Sequence, residues 1–191
     1  MASCAHDYFP LIFGTESLVK LKMKIGVVGL GNILLGDEGF GVHFIRYLEE
    51  KSLPPGVELI DGGCLGLRLL DLLREKEGLF LVDVFLDEAA YPGTIRAFSW
   101  EELKALPQNI LASAHQVGVK EALCLAEIQG LKPRYFKAYG VVPERLELGT
   151  DLSPTLSAKL SVLASLLFKD LEELGFKPGG EDVSGHPHED S

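Results

Sequence analysis

The sequence predicts an α/β fold, a three-layer α/β/α domain built around a twisted, mostly parallel five-stranded sheet. Short continuous apolar runs, typical of strands buried on both faces, alternate along the chain with segments whose apolar residues recur every three or four positions. The turns between them are short, as in βαβ units. With 191 residues, 47 % of them hydrophobic, and no internal repeat or linker, the chain suits one domain with one substantial core.

Five strands are predicted, and the first and third of them are expected to be buried. Four of the strands have the sequences "KIGVVGL", "VELID", "LFLVDVF" and "YFKAYGVV", at 24–30, 57–61, 79–85 and 135–142. The fifth, "TIRAF" at 94–98, follows a Pro-Gly turn and alternates apolar with polar residues. Alternation of this kind indicates a strand at the edge of the sheet.

Four amphipathic helices are predicted between and after these strands. Asp37 is a suitable N-cap for the first helix, and Ser113 for the third. The second helix carries a leucine stripe over 65–73. Ser153 followed by Pro154 is a strong signal for the start of the fourth helix.

The folded domain is predicted over residues 23–175. Residues 1–22 lack the basic start of a signal peptide, and we expect them to form a flexible extension. Met23 stands directly before the first strand and is the expected effective start of the fold. Residues 176–191 are poor in apolar residues and are expected to form a polar tail.

Composition excludes several classes of function. The net charge of −10, from 18 basic and 28 acidic residues, would repel nucleic acid and anionic membranes. No apolar run approaches the length needed to cross a bilayer. The three cysteines, Cys4, Cys64 and Cys124, show no CxxC spacing, which argues against a disulfide framework or a zinc ribbon and favours a reducing compartment.

Polar residues follow several of the predicted strands at their carboxyl ends, where ligands bind in sheets of this kind. Asp37 and Glu38 come shortly after the first strand, Asp61 ends the second, and Asp83 lies near the end of the third. His115 lies at the start of the third helix. We expect these acids and the histidine to converge on one rim of the sheet.

A dinucleotide site is one interpretation of the loop after the first strand. Gly29 and Gly31 stand where the first two glycines of such a fingerprint would, but Leu34 occupies the third position. Asp37 and Glu38 at the mouth of the helix would also repel phosphates. The residues therefore disfavour a nucleotide-binding oxidoreductase, which is kept as an alternative.

A metal site uses the same residues better. Glu38, Asp61 and His115 offer two oxygen ligands and one nitrogen, a set suited to zinc, nickel, manganese or iron. The alternatives are that Asp37 and Glu38 only serve a helix dipole and that His115 is structural. A third interpretation makes Cys64 a nucleophile with His115 as its base, although no local signature supports it.

The motifs "GLGNILLGDEGFGV", "LIDGG" and "SAHQVG", in that order, resemble those of the hydrogenase maturation endopeptidases, as does "GVVPE" at 140–144. The likeness covers roughly residues 23–175. The family trims a C-terminal extension from nickel-loaded large-subunit precursors of nickel–iron hydrogenases. The resemblance implies a twisted, mostly parallel sheet between helices and a monomer that works in the cytoplasm.

The resemblance also implies a site and a metal. The metal-contacting and catalytic residues of the family correspond to Glu38, Asp61 and His115. The expected metal is nickel presented by the precursor, for which cadmium or zinc could substitute in crystals. Either the metal polarises the scissile carbonyl or a water, or the carboxylates activate water as in aspartic peptidases. A nickel-sensing chaperone that binds the precursor without cutting it is the non-enzymatic alternative.

Overall fold

The structure, a computed structural model, describes residues 23–107 and 114–177. Within these residues one sheet contains the strands β1 (Ile25–Leu30), β2 (Val57–Gly63), β3 (Gly78–Val84), β4 (Ile95–Phe98) and β5 (Tyr135–Val141). The strand order is β2-β1-β3-β5-β4, and all neighbours are parallel except β4, which pairs antiparallel with β5 at one edge. The predicted mostly parallel, five-stranded sheet is confirmed, and so is the predicted edge position of β4.

Six α-helices accompany the sheet in the described residues. They are α1 (Phe40–Glu49), α2 (Leu69–Glu75), α3 (Trp100–Ala105), α4 (Ala114–Ile128), α5 (Pro154–Ser157) and α6 (Lys159–Glu173). Two 3₁₀ turns, at Gly36–Gly39 and Gly66–Arg68, lead into α1 and α2. The four predicted helical segments are confirmed, although the last one is divided at Ala158 into α5 and α6.

Helix α3 is absent from the sequence prediction. It begins with a capping box: the Ser99 hydroxyl accepts a hydrogen bond from the Glu102 amide at 3.3 Å, and the Glu102 carboxylate accepts one from the Ser99 amide at 2.7 Å. Trp100 and Leu103 are its buried residues. Six residues contain too few apolar repeats to reveal a helix by periodicity, but the Ser-x-x-Glu spacing was the available signal.

The predicted caps have three outcomes. Ser153 is confirmed, since its hydroxyl accepts a hydrogen bond from the Leu156 amide at 3.2 Å with Pro154 in the first turn. Asp37 does not cap α1, because it lies within the 3₁₀ turn that precedes the helix and Gly39 is at the N-cap position. Its carboxylate accepts hydrogen bonds from a distant loop instead. Ser113 lies outside the described residues.

The helices form two layers, one on each face of the sheet. On one face α1, α5 and α6 pack against the sheet through buried residues that include Phe40, Phe44, Phe80, Leu156 and Leu167. On the other face α2, α3 and α4 do so through residues that include Leu69, Leu79, Leu81, Trp100 and Leu123. The predicted three-layer architecture is therefore confirmed.

Helix α1 touches the backbone of the sheet directly at Gly29 and Gly41. A Cβ atom at Gly29 would lie 2.0 Å from the carbonyl oxygen of Gly41, and one at Gly41 would lie 2.4 Å from that of Val82. Neither position can accept a side chain unless the helix moves. These two glycines thus serve the packing of α1, which fixes where the turn before this helix lies.

The ends of the chain, residues 1–22 and 178–191, lie outside the described residues, and so do the predictions made for them. Phe176, just beyond the predicted end of the domain, is partly buried against the α1 and α6 core. Its amide also donates a hydrogen bond to the Leu171 carbonyl at 2.8 Å. None of the described helices combines the length and apolar character needed to cross a bilayer.

A buried polar group joins β5 to α6. The Tyr139 hydroxyl donates a hydrogen bond to the Asp170 carboxylate, and the Lys137 ammonium lies 2.7 Å from the same carboxylate. Burial and the bond to Asp170 raise the pKa of Tyr139 well above its ordinary value. Burial, with a smaller effect of the Asp170 charge, raises the pKa of Tyr135 to about 12. Both phenols are therefore neutral in the folded protein at neutral pH.

Replacing Tyr139 by Phe should lower the free energy of unfolding by about 1–3 kcal/mol, because the buried Asp170 carboxylate loses one of its hydrogen-bond donors. The measurement is urea denaturation at neutral pH. Tyr91→Phe is the matched control, since Tyr91 is 86 % exposed and its loss of a hydroxyl should change little. Equal effects of the two substitutions would contradict this role of Tyr139.

Candidate active site

Glu38 lies in the 3₁₀ turn that precedes α1, at the carboxyl end of β1. Its side chain is almost fully buried, with 3 % exposed. The preceding loop folds tightly onto this turn: Gly31 has a φ of 131°, and a Cβ atom there would lie 1.8 Å from the carbonyl oxygen of Glu38. The close approach of backbone to backbone holds a carboxylate at the rim of the sheet, nearly out of water.

Asp37, the neighbour of Glu38, has a different environment. Its side chain is completely buried, and it accepts hydrogen bonds from three backbone amides. One carboxylate oxygen binds the amides of Glu144 and Arg145 at 2.9 and 3.0 Å, and the other binds that of Ser153 at 2.7 Å. Asp37 therefore holds the loop between β5 and α5 in place, and both of its carboxylate oxygens are engaged in these hydrogen bonds.

Asp61 lies near the end of the edge strand β2, opposite Gly29 of β1. Val57 and Leu59 pack against the α1 and α6 core, whereas Ile60 packs against the opposite core. Because side chains alternate along a strand, Asp61 lies on the α1 face of the sheet. It is exposed, and its carboxylate accepts a hydrogen bond from the Gly63 amide at 3.1 Å.

Asp83 lies near the end of the central strand β3, on the opposite face. Leu79 and Leu81 belong to the core formed with α2, α3 and α4, and alternation places Asp83 on that same face. Its side chain is partly buried, and its carboxylate accepts a hydrogen bond from the Val84 amide at 2.8 Å. The two strand-end acids thus face opposite layers of helices.

Cys64 lies in the loop after β2, and two acids of the rim influence the pKa of its thiol. Burial, followed by the charges of Glu38 and Asp83, raises the pKa of its thiol. Glu38 and Asp83 are thus the two acids whose charges act on this thiol. A thiol with a raised pKa forms less of the nucleophilic thiolate, which disfavours the cysteine mechanism with His115 as base.

His115 is the second residue of α4, which packs on the face that carries Asp83. The first turns of α4 approach the 3₁₀ turn after β2, since a Cβ atom at Gly118 would lie 2.8 Å from the Cα atom of Gly66. The His115 side chain itself is outside the described residues. Among the side chains that are described, which do not include that of His115, no three of His, Cys, Asp or Glu form a metal-binding group.

The site is therefore an acidic cluster at the carboxyl rim of an α/β sheet, and its glycines serve helix packing. A family model for hydrogenase maturation proteases matches residues 42–170. The Hydrogenase 2 maturation protease of Escherichia coli is 36 % identical over 154 residues, which cover 80 % of this chain and 93 % of the relative. The hydrogenase expression/formation protein HoxM of Azotobacter vinelandii is 33 % identical over 161 residues, covering 83 % and 77 %.

Solved structures agree with these relatives. The hydrogenase maturating endopeptidase HybD from E. coli superposes with a TM-score of 0.75 at 35 % identity, covering 81 % of this chain and 96 % of that one. The nickel–iron hydrogenase maturation protease HybD from Thermococcus kodakarensis does so with a TM-score of 0.64 at 27 % identity, covering 77 % and 98 %. The chain belongs to the hydrogenase maturation protease family. The resemblance noted in the sequence is confirmed, and the nucleotide-binding oxidoreductase is set aside.

The proximity of Glu38 and Asp83 to one thiol can be tested without a substrate. Glu38→Gln and Asp83→Asn should each lower the pKa of Cys64, because each removes a negative charge that opposes thiolate formation. Asp61→Asn is the matched control and should leave that pKa unchanged. The measurement is the pH dependence of Cys64 alkylation around the ordinary thiol pKa of about 8.5, resolved from other cysteines by peptide mass mapping.

If Asp61→Asn lowered the pKa of Cys64 and Asp83→Asn did not, the strand acid nearest the cysteine would be on β2, not β3, and the geometry would be contradicted.

Proposed function

We propose that this protein is an endopeptidase that removes the C-terminal extension of a nickel–iron hydrogenase large-subunit precursor after nickel has been inserted. The observation that carries the proposal is Glu38, a nearly buried carboxylate at the rim of a fold that the maturation proteases share. Family membership supports the peptidase activity. As the resemblance implies, the proposed enzyme works as a monomer in the cytoplasm.

The sequence prediction for the site was Glu38, Asp61 and His115. We propose that Asp83 takes the place of Asp61. Asp83 lies on a central strand, on the face where α4 begins with His115, and its charge acts on the same thiol as that of Glu38. Asp61 lies on an edge strand, faces the other layer and holds the Gly63 amide, which suits a turn-stabilising role.

The donor chemistry of these residues fits nickel carried by the precursor. Carboxylate oxygens and an imidazole nitrogen are suitable ligands for Ni²⁺. Two neighbouring carboxylates repel each other, and a divalent cation relieves that repulsion. Bound at such a site, the metal of the substrate would supply positive charge that polarises the scissile carbonyl.

Within this proposal each residue has a distinct task. Glu38 is the general base that accepts the proton of the attacking water, since its carboxylate lies at the rim of the sheet where ligands of such folds bind. Asp83 and His115 orient the precursor at the rim. A nickel-dependent version of the mechanism is proposed over the purely carboxylate one, because the latter assigns no task to a histidine at the start of α4.

Glu38→Gln should reduce cleavage of purified nickel-loaded precursor by about 100-fold or more, the usual contribution of a general base. Asp83→Asn should reduce it as well, because it removes a carboxylate that orients the precursor. Asp61→Asn should keep most of the activity. The measurement is the loss of mass of the precursor, with melting temperatures recorded for each variant. Full activity of Glu38→Gln would remove Glu38 from the chemistry.

Two other outcomes would revise the proposal. Loss of cleavage in Asp61→Asn but not in Asp83→Asn would restore the originally predicted set of Glu38, Asp61 and His115. A wild-type protein that binds the precursor but leaves its mass unchanged would be a nickel-sensing chaperone.

His115→Ala should weaken recognition of the nickel-loaded precursor because it removes the only nitrogen ligand in the proposed set. We expect a raised KM for nickel-loaded precursor and unchanged binding of the nickel-free form, measured by cleavage kinetics and by calorimetry. A variant that distinguishes the two forms as well as the wild type does would show that His115 has no part in sensing nickel.

A further inference from the structure

The turn that carries Glu38 is fastened on one side by the β5–α5 loop, residues 142–153. Three bonds from this loop end on the Asp37 carboxylate, as described above. Backbone bonds add to them: the Asp37 amide donates to the Arg145 carbonyl at 3.3 Å, and the Gly36 amide donates to the Gly149 carbonyl at 2.8 Å. Gly36 and Asp37 thus join the first half of the turn to the loop through five hydrogen bonds.

The other side of the turn is held by steric contact. Besides the contact at Gly31, a Cβ atom at Gly39 would lie 2.8 Å from the Cα atom of Ile33. The turn is therefore enclosed between residues 31–33 and the β5–α5 loop. Residues 144–151 of that loop are exposed, so burial of their side chains does not hold this part of the loop in place, and its bonds with the turn contribute to its position.

We propose that Asp37 is a positioning residue for Glu38. Asp37 holds the 3₁₀ turn against the β5–α5 loop, and the position of this turn determines where the Glu38 carboxylate lies. Asp37 cannot act on a substrate itself, because it is completely buried and its oxygens already accept three hydrogen bonds. This inference rests on the proposed function for the role of Glu38, and it assigns a task to the second acid of the Asp-Glu pair.

A carboxylate is the only common side chain that suits this position. It accepts hydrogen bonds without donating any, and here all three partners are backbone N–H donors. Asparagine has nearly the same shape, but its NH₂ group would face one of those donors and leave it unsatisfied. We therefore expect Asp37→Asn to loosen the turn without changing the packing around it.

The experiment compares Asp37→Asn with Asp170→Asn. Asp170 is the matched control: it is also a buried aspartate whose carboxylate has polar partners, but these partners, Lys137 and Tyr139, belong to the contact between β5 and α6. Both variants should be less stable than the wild type. Kinetics are measured with nickel-loaded precursor at a temperature where both variants are folded.

Asp37→Asn should lower kcat by about 10- to 100-fold with little change in KM, because a displacement of about 1 Å in a catalytic group has a cost of that order. Asp170→Asn should keep the kcat of the wild type. A kcat of Asp37→Asn equal to that of the wild type would overturn the inference. An equal fall in both variants would do so as well, because it would reflect stability alone.

A second readout needs no precursor and separates this inference from the proposed function. Absence of cleavage by the wild type would reject the proposed function only. Amide hydrogen exchange over residues 35–39 then tests the hold of Asp37 directly. Faster exchange in Asp37→Asn but not in Asp170→Asn supports the inference, and unchanged exchange in Asp37→Asn overturns it.

Discussion

The direct contact between α1 and the backbone of β1 is the constraint on which the site depends. Gly29 and Gly41 leave no room for side chains, so the helix lies as close to the strand as two backbones allow. The turn before α1 must then lie at the carboxyl end of β1, and Glu38 with it. Glycines that resemble part of a phosphate-binding loop are required here for packing, which is one of the roles they also have in dinucleotide folds.

Two adjacent acids have opposite environments because the turn between β1 and α1 presents them to different partners. Asp37 is surrounded by backbone donors and completes the anchoring of a long exposed loop. Glu38 is nearly buried, and its charge, like that of Asp83, acts on the Cys64 thiol. In the proposed function the nickel of the substrate adds positive charge beside these acids, which would couple recognition of the loaded precursor to cleavage.

Much of the fold could be predicted because its signals are local. Buried strands appear as apolar runs, and Ser153-Pro154 begins a helix as expected. The site was less predictable because its contacts are not local. The partners of Asp37 lie more than a hundred residues away in the chain, and no sequence pattern links them.

The relative placement of Asp61 and Asp83 was likewise beyond the sequence. Both acids lie near strand ends at the same rim, and the packing of their strand neighbours against different helix layers shows that they face opposite sides of the sheet. The sequence predicts Asp61 for the site and Asp83 only as an acid of the rim, and the place of Asp83 in the site is a proposal.

The most direct test of the account is anomalous scattering from crystals soaked with a nickel salt. The account predicts a nickel peak at coordination distance, about 2.0–2.2 Å, from carboxylate oxygens of both Glu38 and Asp83, with Asp61 on the other face of the sheet and uncoordinated. A nickel ion bound by Glu38 and Asp61, with Asp83 turned away from it, would contradict the central claim.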